Sequence, residues 1–263
     1  MSTSSNKIQG FSEHWDFFRR DIDGWPVSIR YDMGVRLLAE DIRAQYPHTI
    51  EFTVPYAEPT ESGFPTKPEM ERVNQIEDDF SCGTHNIRII GVLTGGNCSR
   101  FVFCFSGTAE DVDSIVQTLM GPHPGTNFTH KVFLDDNFSY FNSTIAPTAY
   151  EINRKMNRLV CENLANHGEI FETTREIDFF CYFATEQYVQ AISEQLCSQG
   201  FREVHRGQTD QGDYGLHLVF EGIPVLDWIN EITDGILNLL EGTDGHFDGW
   251  GCPTHGNTEE GAK

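Results

Sequence analysis

A strand pattern passing into a helix pattern occurs twice in this chain at a fixed spacing, and it confines the fold to layered α+β architectures. Phe103-Cys104-Phe105, followed by Thr108, Val112, Ile115 and Leu119, reappears as Phe180-Cys181-Tyr182, followed by Thr185, Val189, Ile192 and Leu196, offset by 77 residues. Each copy moves from a short aromatic run to apolar residues at helical spacing. Duplication produces such an echo, and so do two strand-helix units meeting the same packing demand. The chain has 263 residues, 38% of them hydrophobic and 20 of them Phe, enough for one large core or two smaller ones.

The pattern extends in both directions. Trp15 to Arg20 and Val27 to Tyr31 flank Asp21-Ile-Asp-Gly24 and predict a hairpin. Ile50, Phe52, Val54 and Tyr56 alternate as on a half-buried strand over Thr49 to Tyr56. Thr66-Lys-Pro-Glu69 is a capping-box pattern opening a helix with Met70, Val73, Ile76 and Phe80 inward. Ile87 to Leu93 and Phe101 to Phe105 form a second predicted hairpin around Gly95-Gly-Asn97. A helix over Val112, Ile115, Val116 and Leu119 leads to a strand from Phe128 to Leu134. From residue 49 the order is βαββαβ.

Asn137 to Pro147 has turn formers and no regular period, so it is expected to be a linker, with domains at 1–145 and 146–263. Beyond it, Thr148-Ala-Tyr-Glu151 is another capping box, opening a helix with Ile152, Met156, Leu159, Val160 and Leu164 on one face. A second βαββαβ series then runs through Ile177 to Phe183, the helix capped by Thr185, Phe201 to His205, Leu216 to Phe220, the helix begun at Pro224, and Phe247 to Cys252. The expected fold is α+β: two ferredoxin-like sandwiches with helices on one face of each sheet. The first has an extra N-terminal hairpin and the second an extra leading helix.

Formal charge is −22, unevenly divided: residues 1–160 carry −7 and residues 161–263 carry −15. A field of that sign repels phosphate backbones, which argues against direct nucleic-acid binding. The polar opening Met1 to Gly10, with no long apolar run anywhere, predicts a protein of the cytoplasm rather than of a membrane. Cys104, Cys161, Cys181 and Cys197 sit in apolar periodic stretches, as free thiols do in a reducing compartment.

Phosphate-loop, dinucleotide, metalloprotease and serine-hydrolase motifs are absent, so no catalytic residue and no cofactor is expected. Two Cys-x-x-His pairs, Cys82 with His85 and Cys252 with His255, have zinc-ligand chemistry, but 167 residues separate the pairs and coincidence is the plainer reading. Asp244 and Asp248 stand near glycines as in a calcium loop that lacks its third ligand and closing Glu. The last helix shows Asp227, Glu231, Asp234 and Glu241 on its polar face, with no Lys or Arg from residue 207 to 262. Such a face is ordinarily solvated, and the sharper alternative is attraction to a basic partner.

Phe247-Asp-Gly-Trp-Gly-Cys252, directly after an amphipathic helix, resembles the closing strand of the bacterial RraB family, regulators that inhibit ribonuclease E. The similarity of layout spans residues 148–255. It implies a domain that works by binding the ribonuclease and not by catalysis. Asp23-Gly-Trp-Pro26, Val54-Pro55 and Gly63-Phe-Pro-Thr-Lys67 resemble an uncharacterised bacterial domain often fused upstream of RraB-like modules. Trp250 has two readings, an indole filling a core hole between glycines or a half-exposed partner anchor. The expectation is a non-enzymatic regulator that binds a basic protein surface, possessed by ribonuclease E, through Asp227, Glu231, Asp234, Asp248 and Trp250. The alternatives are a metal-binding sensor or enzyme using Cys82, His85, Cys252 and His255, and an immunity-type protein that neutralises a toxin.

Overall fold

Asp23 (φ 53°) and Gly24 (φ 80°) close the first hairpin, between β1 (Trp15–Ile22) and β2 (Trp25–Asp32), with Ile22 opposite Trp25. Two central residues at positive φ give the primed turn whose twist matches the strands it joins. The structure is a computed structural model and describes residues 14–38, 40–81, 87–135 and 138–254. The chain divides into two units, Met1–Pro147 and Thr148–Lys263.

In the first unit a 3₁₀ turn (Met33–Leu37) and the single-turn α1 (Glu40–Arg43) precede β3 (His48–Pro55) and α2 (Lys67–Ser81). There follow β4 (Ile87–Gly95), β5 (Cys98–Phe105), α3 (Val112–Met120) and β6 (Thr129–Leu134). The six strands form one sheet in the order β1-β2-β4-β5-β3-β6, every neighbour antiparallel. Ile50, Phe52 and Val54 of β3 pack with Val73, Ile76 and Phe80 of α2 and with Val112, Ile115 and Leu119 of α3. Gly95 lies against β2, where a Cβ would stand 2.5 Å from the Pro26 carbonyl, so only glycine lets these strands approach at the turn.

Three expectations change here. The opposite face of this sheet is not bare: Ile29, Ile90, Val102 and Cys104 are covered by Phe138, Phe141 and Ile145. The segment expected as a linker is therefore core. One turn of π-helix, Phe141–Ile145, carries Phe141 and Ile145 inward, and Arg20 donates to the Thr144 and Ala146 carbonyls at 2.8 and 3.1 Å. Its turn-forming residues hid the buried set Phe138, Phe141 and Ile145. The capping box at Thr66 also does not form. Glu69 accepts instead from the Ala57 amide and Arg72, and the Thr66 hydroxyl has no partner among the described residues.

The second unit opens with α4 (Ala149–Asn166), whose capping box is complete: Thr148 accepts from the Glu151 amide at 3.2 Å and Glu151 accepts from the Thr148 amide at 2.8 Å. Thr148→Ala is expected to lower second-unit stability by about 1 kcal/mol, with Thr148→Ser close to neutral, read as a shift of the urea midpoint of the full chain. The chain continues through β7 (Arg175–Phe183), α5 (Val189–Ser198), β8 (Arg202–Gln208), β9 (Tyr214–Gly222), α6 (Leu226–Leu240) and β10 (Gly245–Gly251). The antiparallel sheet has the order β10-β7-β9-β8. One face packs Ile177, Phe179 and Cys181 against Ile192, Ile229 and Ile236.

The internal echo does not survive as spatial equivalence. Phe103 and Phe105 face the first unit's helices, with Cys104 on the reverse side, whereas in the second unit Cys181 faces the helices and Phe180 and Tyr182 do not. The two copies share a composition and differ by one residue in phase, which on a strand is the difference between inside and outside.

Candidate functional site

The spacing of Phe247 and Trp250 is odd, and a regular strand would send them to opposite faces. A bulge between Phe247 and Gly249 resets the phase: Phe247 stands opposite Cys181, Gly249 opposite Phe180, and Trp250 opposite Phe179 on the core face. Gly249 takes φ 137°, a conformation that a side chain would strain. The Asp-Gly-Trp-Gly run is thus a device for turning an indole inward. Trp250 is 8% exposed, and its Nε1 donates to Asn157 Oδ1 at 2.9 Å.

That bond joins a buried polar seam between α4 and α6. Asn157 Nδ2 donates to Thr233 Oγ1 at 2.8 Å and to Asn230 Oδ1 at 2.9 Å, and Asn153 Nδ2 donates to Thr233 Oγ1 at 2.7 Å. Thr233 in turn donates to the Ile229 carbonyl. Buried amides hold their places only while bonded, so this seam sets the rotation of α4. It sets it against expectation: α4 buries Asn153, Asn157, Cys161 and Leu164. Three residues of its predicted inner face, Ile152, Met156 and Leu159, are 42%, 52% and 44% exposed.

Beside them runs a groove of 520 Å³ lined by Ile152, Met156 and Val160 of α4, Leu237 of α6, and Phe247 and Trp250 of β10. Glu241 and Asp248, both exposed, border it, and Glu241 accepts from Tyr150 at 2.8 Å. Sequence reasoning missed this groove. The signal was present in Asn153 and Asn157, four apart on a helix beside a second helix carrying Asn230 and Thr233.

The residues predicted to meet a partner are separated into two places. Asp227 and Glu231 are exposed along α6, and Asp234, one further turn on, pairs with Arg154 at 2.6 Å. Asp248 and Trp250 lie on β10, at the groove. Asp248 also borders a polar cleft with Tyr182, Asp210, Asp213 and His246 on the reverse side of the sheet. On that side His217 contacts Asp178 at 2.6 Å and stacks on Phe180 at 4.7 Å.

Of the four metal-ligand candidates, Cys82, His85 and His255 lie outside the described residues. Cys252 is half-buried beside the Glu169–Arg175 ion pair, and burial pushes its thiol up. Among the described residues no group of three or more His, Cys, Asp or Glu is placed to hold a metal ion. Burial also drives the thiols of Cys104 and Cys181 up to about 12 and that of Cys161 up to about 11. These sulfurs therefore stay protonated at neutral pH and behave as apolar core groups. No helix among the described residues is long and apolar enough to cross a membrane.

The fold and the site define a class: two α+β units, the second with a helix-bordered apolar groove and an acidic helix face. Residues 13–145 match the family of unknown function DUF695, and residues 154–252 match the family described as regulator of ribonuclease activity B, RraB. The chain belongs to DUF695 over its first unit and carries an RraB domain behind it, as the resemblances at Asp23-Gly-Trp-Pro26 and Asp248-Gly-Trp-Gly251 implied. No curated protein matches the sequence. Among solved structures, a glycine cleavage system transcriptional repressor is 10% identical, over 76% of this chain and 95% of its own, with a TM-score of 0.22. An unknown protein from Galdieria sulphuraria is 12% identical over the same shares, with a TM-score of 0.19. Likeness at that level carries no argument about fold or function.

Proposed function

We propose that this protein is a non-enzymatic, cytoplasmic regulator of ribonuclease activity. Its second domain, residues 146–263, binds a basic, RNA-binding segment of a ribonuclease E-type nuclease and keeps RNA from it. The carrying observation is the one-signed helix face: Asp227 and Glu231 stand exposed on α6, on a unit that holds 7 basic against 20 acidic side chains. Such a field speeds encounter with a cationic surface and competes with RNA for it. The RraB match supports a protein partner, and the partner's basic character follows from charge. In this reading Asp227, Glu231 and Asp248 meet the partner, Asp234 is shared with Arg154, and Trp250 supports the surface from beneath. Both sheets are read as ferredoxin-like, supported by the strand order, in which the first and third strands of each βαββαβ series are central.

The test is binding of the full chain to the non-catalytic basic region of ribonuclease E, with RNA as competitor. Micromolar or tighter affinity is expected at about 50 mM salt, falling by about tenfold or more at about 300 mM, and lost as RNA is added. Asp227→Asn with Glu231→Gln should weaken it by about threefold to tenfold. Absence of binding at low salt, or binding indifferent to salt and RNA, would overturn the reading.

A further inference from the structure

The groove beside α4 leaves a question that the acidic helix face does not answer: why a unit so rich in charge keeps large apolar side chains outside. Ile152, Met156 and Leu159 follow one another at helical steps and are 42% to 52% exposed. With Val160, Leu237, Phe247 and the buried edge of Trp250, Ile152 and Met156 border 520 Å³ of apolar space. From Ile152 to Val160 the stripe is about 12 Å long, roughly two turns of a helix laid along it. Its backing is firm, because the Asn153, Asn157 and Thr233 seam and the Trp250 bond fix α4, α6 and β10 to one another. A preformed apolar groove on a rigid base suits a guest that brings its own ordered apolar face.

Charge decides between guests. A second copy of this chain would set a unit of net charge −13 against another of −13, which opposes close association. A cationic guest meets the opposite field, with Glu241 and Asp248 at the groove's border to receive Lys or Arg. We infer that the groove between α4, α6 and β10 docks an amphipathic helix of the partner protein, with apolar anchors at i, i+3 or i+4, and i+7 on one face and Lys or Arg flanking them. This rests on the regulator reading for the identity of the partner. The groove's chemistry stands without it.

Two probes keep the claims apart. The first is a labelled synthetic helix of leucine and lysine with its leucines on one face, compared with a peptide of equal composition whose leucines are spread around the helix. The full chain should bind the first at least about tenfold more tightly, and Met156→Gln or Ile152→Gln, at sites already exposed, should remove most of that preference. Equal binding of both peptides, binding of neither, or a preference untouched by both variants would overturn the groove as a docking site. So would self-association of the full chain that depends on Met156. The second probe is the basic region of ribonuclease E. Its loss with Met156→Gln supports both claims. Its equal binding to wild type and variant overturns the groove as the partner's site while the regulator reading stands. If it fails to bind wild type while the patterned helix binds, the regulator reading falls and the groove remains.

Discussion

Arg175→Met is expected to destabilise the second unit by about 3–5 kcal/mol. Arg175 and Glu169 are 4% and 0% exposed at their side chains, and they form a two-pronged pair, one arm of it at 2.6 Å. The guanidinium also donates to the Pro253 carbonyl at 3.0 Å and the Thr173 carbonyl at 3.2 Å, while Glu169 accepts from the Phe171 amide at 2.9 Å. The pair therefore ties the turn after α4 to the start of β7 and to the residues just past β10. Removing the cation strands a carboxylate in the interior, and this penalty, more than the value of the pair itself, makes the effect large. In the Arg175→Met variant the carboxyl of Glu169 should then prefer its protonated form. The variant should regain stability as pH falls, because a group whose folded-state pKa is raised favours the folded state below that value. Glu169→Gln with Arg175→Met should recover part of the loss. The measurement is urea unfolding of the full chain, followed by tryptophan fluorescence at two pH values. A loss below about 1 kcal/mol would show that the pair is hydrated in solution.

Trp250→Ala should cost about 3–5 kcal/mol, the range for an aromatic side chain deleted from a core. The indole packs against Phe179 and its neighbours in the second unit's core, and its Nε1 satisfies Asn157 Oδ1. Trp250→Phe keeps most of the packing and removes the donor, so it should cost about 1–3 kcal/mol, the penalty for a buried acceptor left unpaired. The difference between the two variants separates packing from hydrogen bonding. Near-neutral behaviour of Trp250→Ala would mean that the bulge relaxes and the indole is dispensable. A consequence follows for binding studies. Loss of binding in a Trp250 variant reports unfolding as readily as contact, whereas Met156 and Ile152, already exposed, report contact.

Much of the element order is legible in the sequence. Phe52 and Val54 on β3, Val112, Ile115 and Leu119 on α3, and Val189, Ile192 and Leu196 on α5 all lie where their periods put them, because an element with one apolar face has one way to bury it. Thr148 and Glu151 cap α4 as their spacing requires. The same logic fails where a second interaction competes. Thr66 and Glu69 have the same spacing, yet Arg72 and the Ala57 amide take the carboxylate. Phe138, Phe141 and Ile145 stand at i, i+3 and i+7, but turn formers and a Pro surround this short run, and their burial is set by the sheet above them.

The candidate site was legible only in its parts. Asp227, Glu231, Asp248 and Trp250 could be singled out by residue type, but the groove could not. The sequence alone determined the two βαββαβ series, the charge of each half and the families to which they belong, since these rest on patterns within a few residues or on composition. Only the tertiary structure decided which way α4 faces and which side of β10 carries Trp250. The first depends on hydrogen bonds from Asn153 and Asn157 to α6, some eighty residues on, and the second on a bulge at Gly249. Polar groups sealed between two helices outweigh an apolar stripe because leaving them unbonded costs more than leaving Ile152 and Met156 in water.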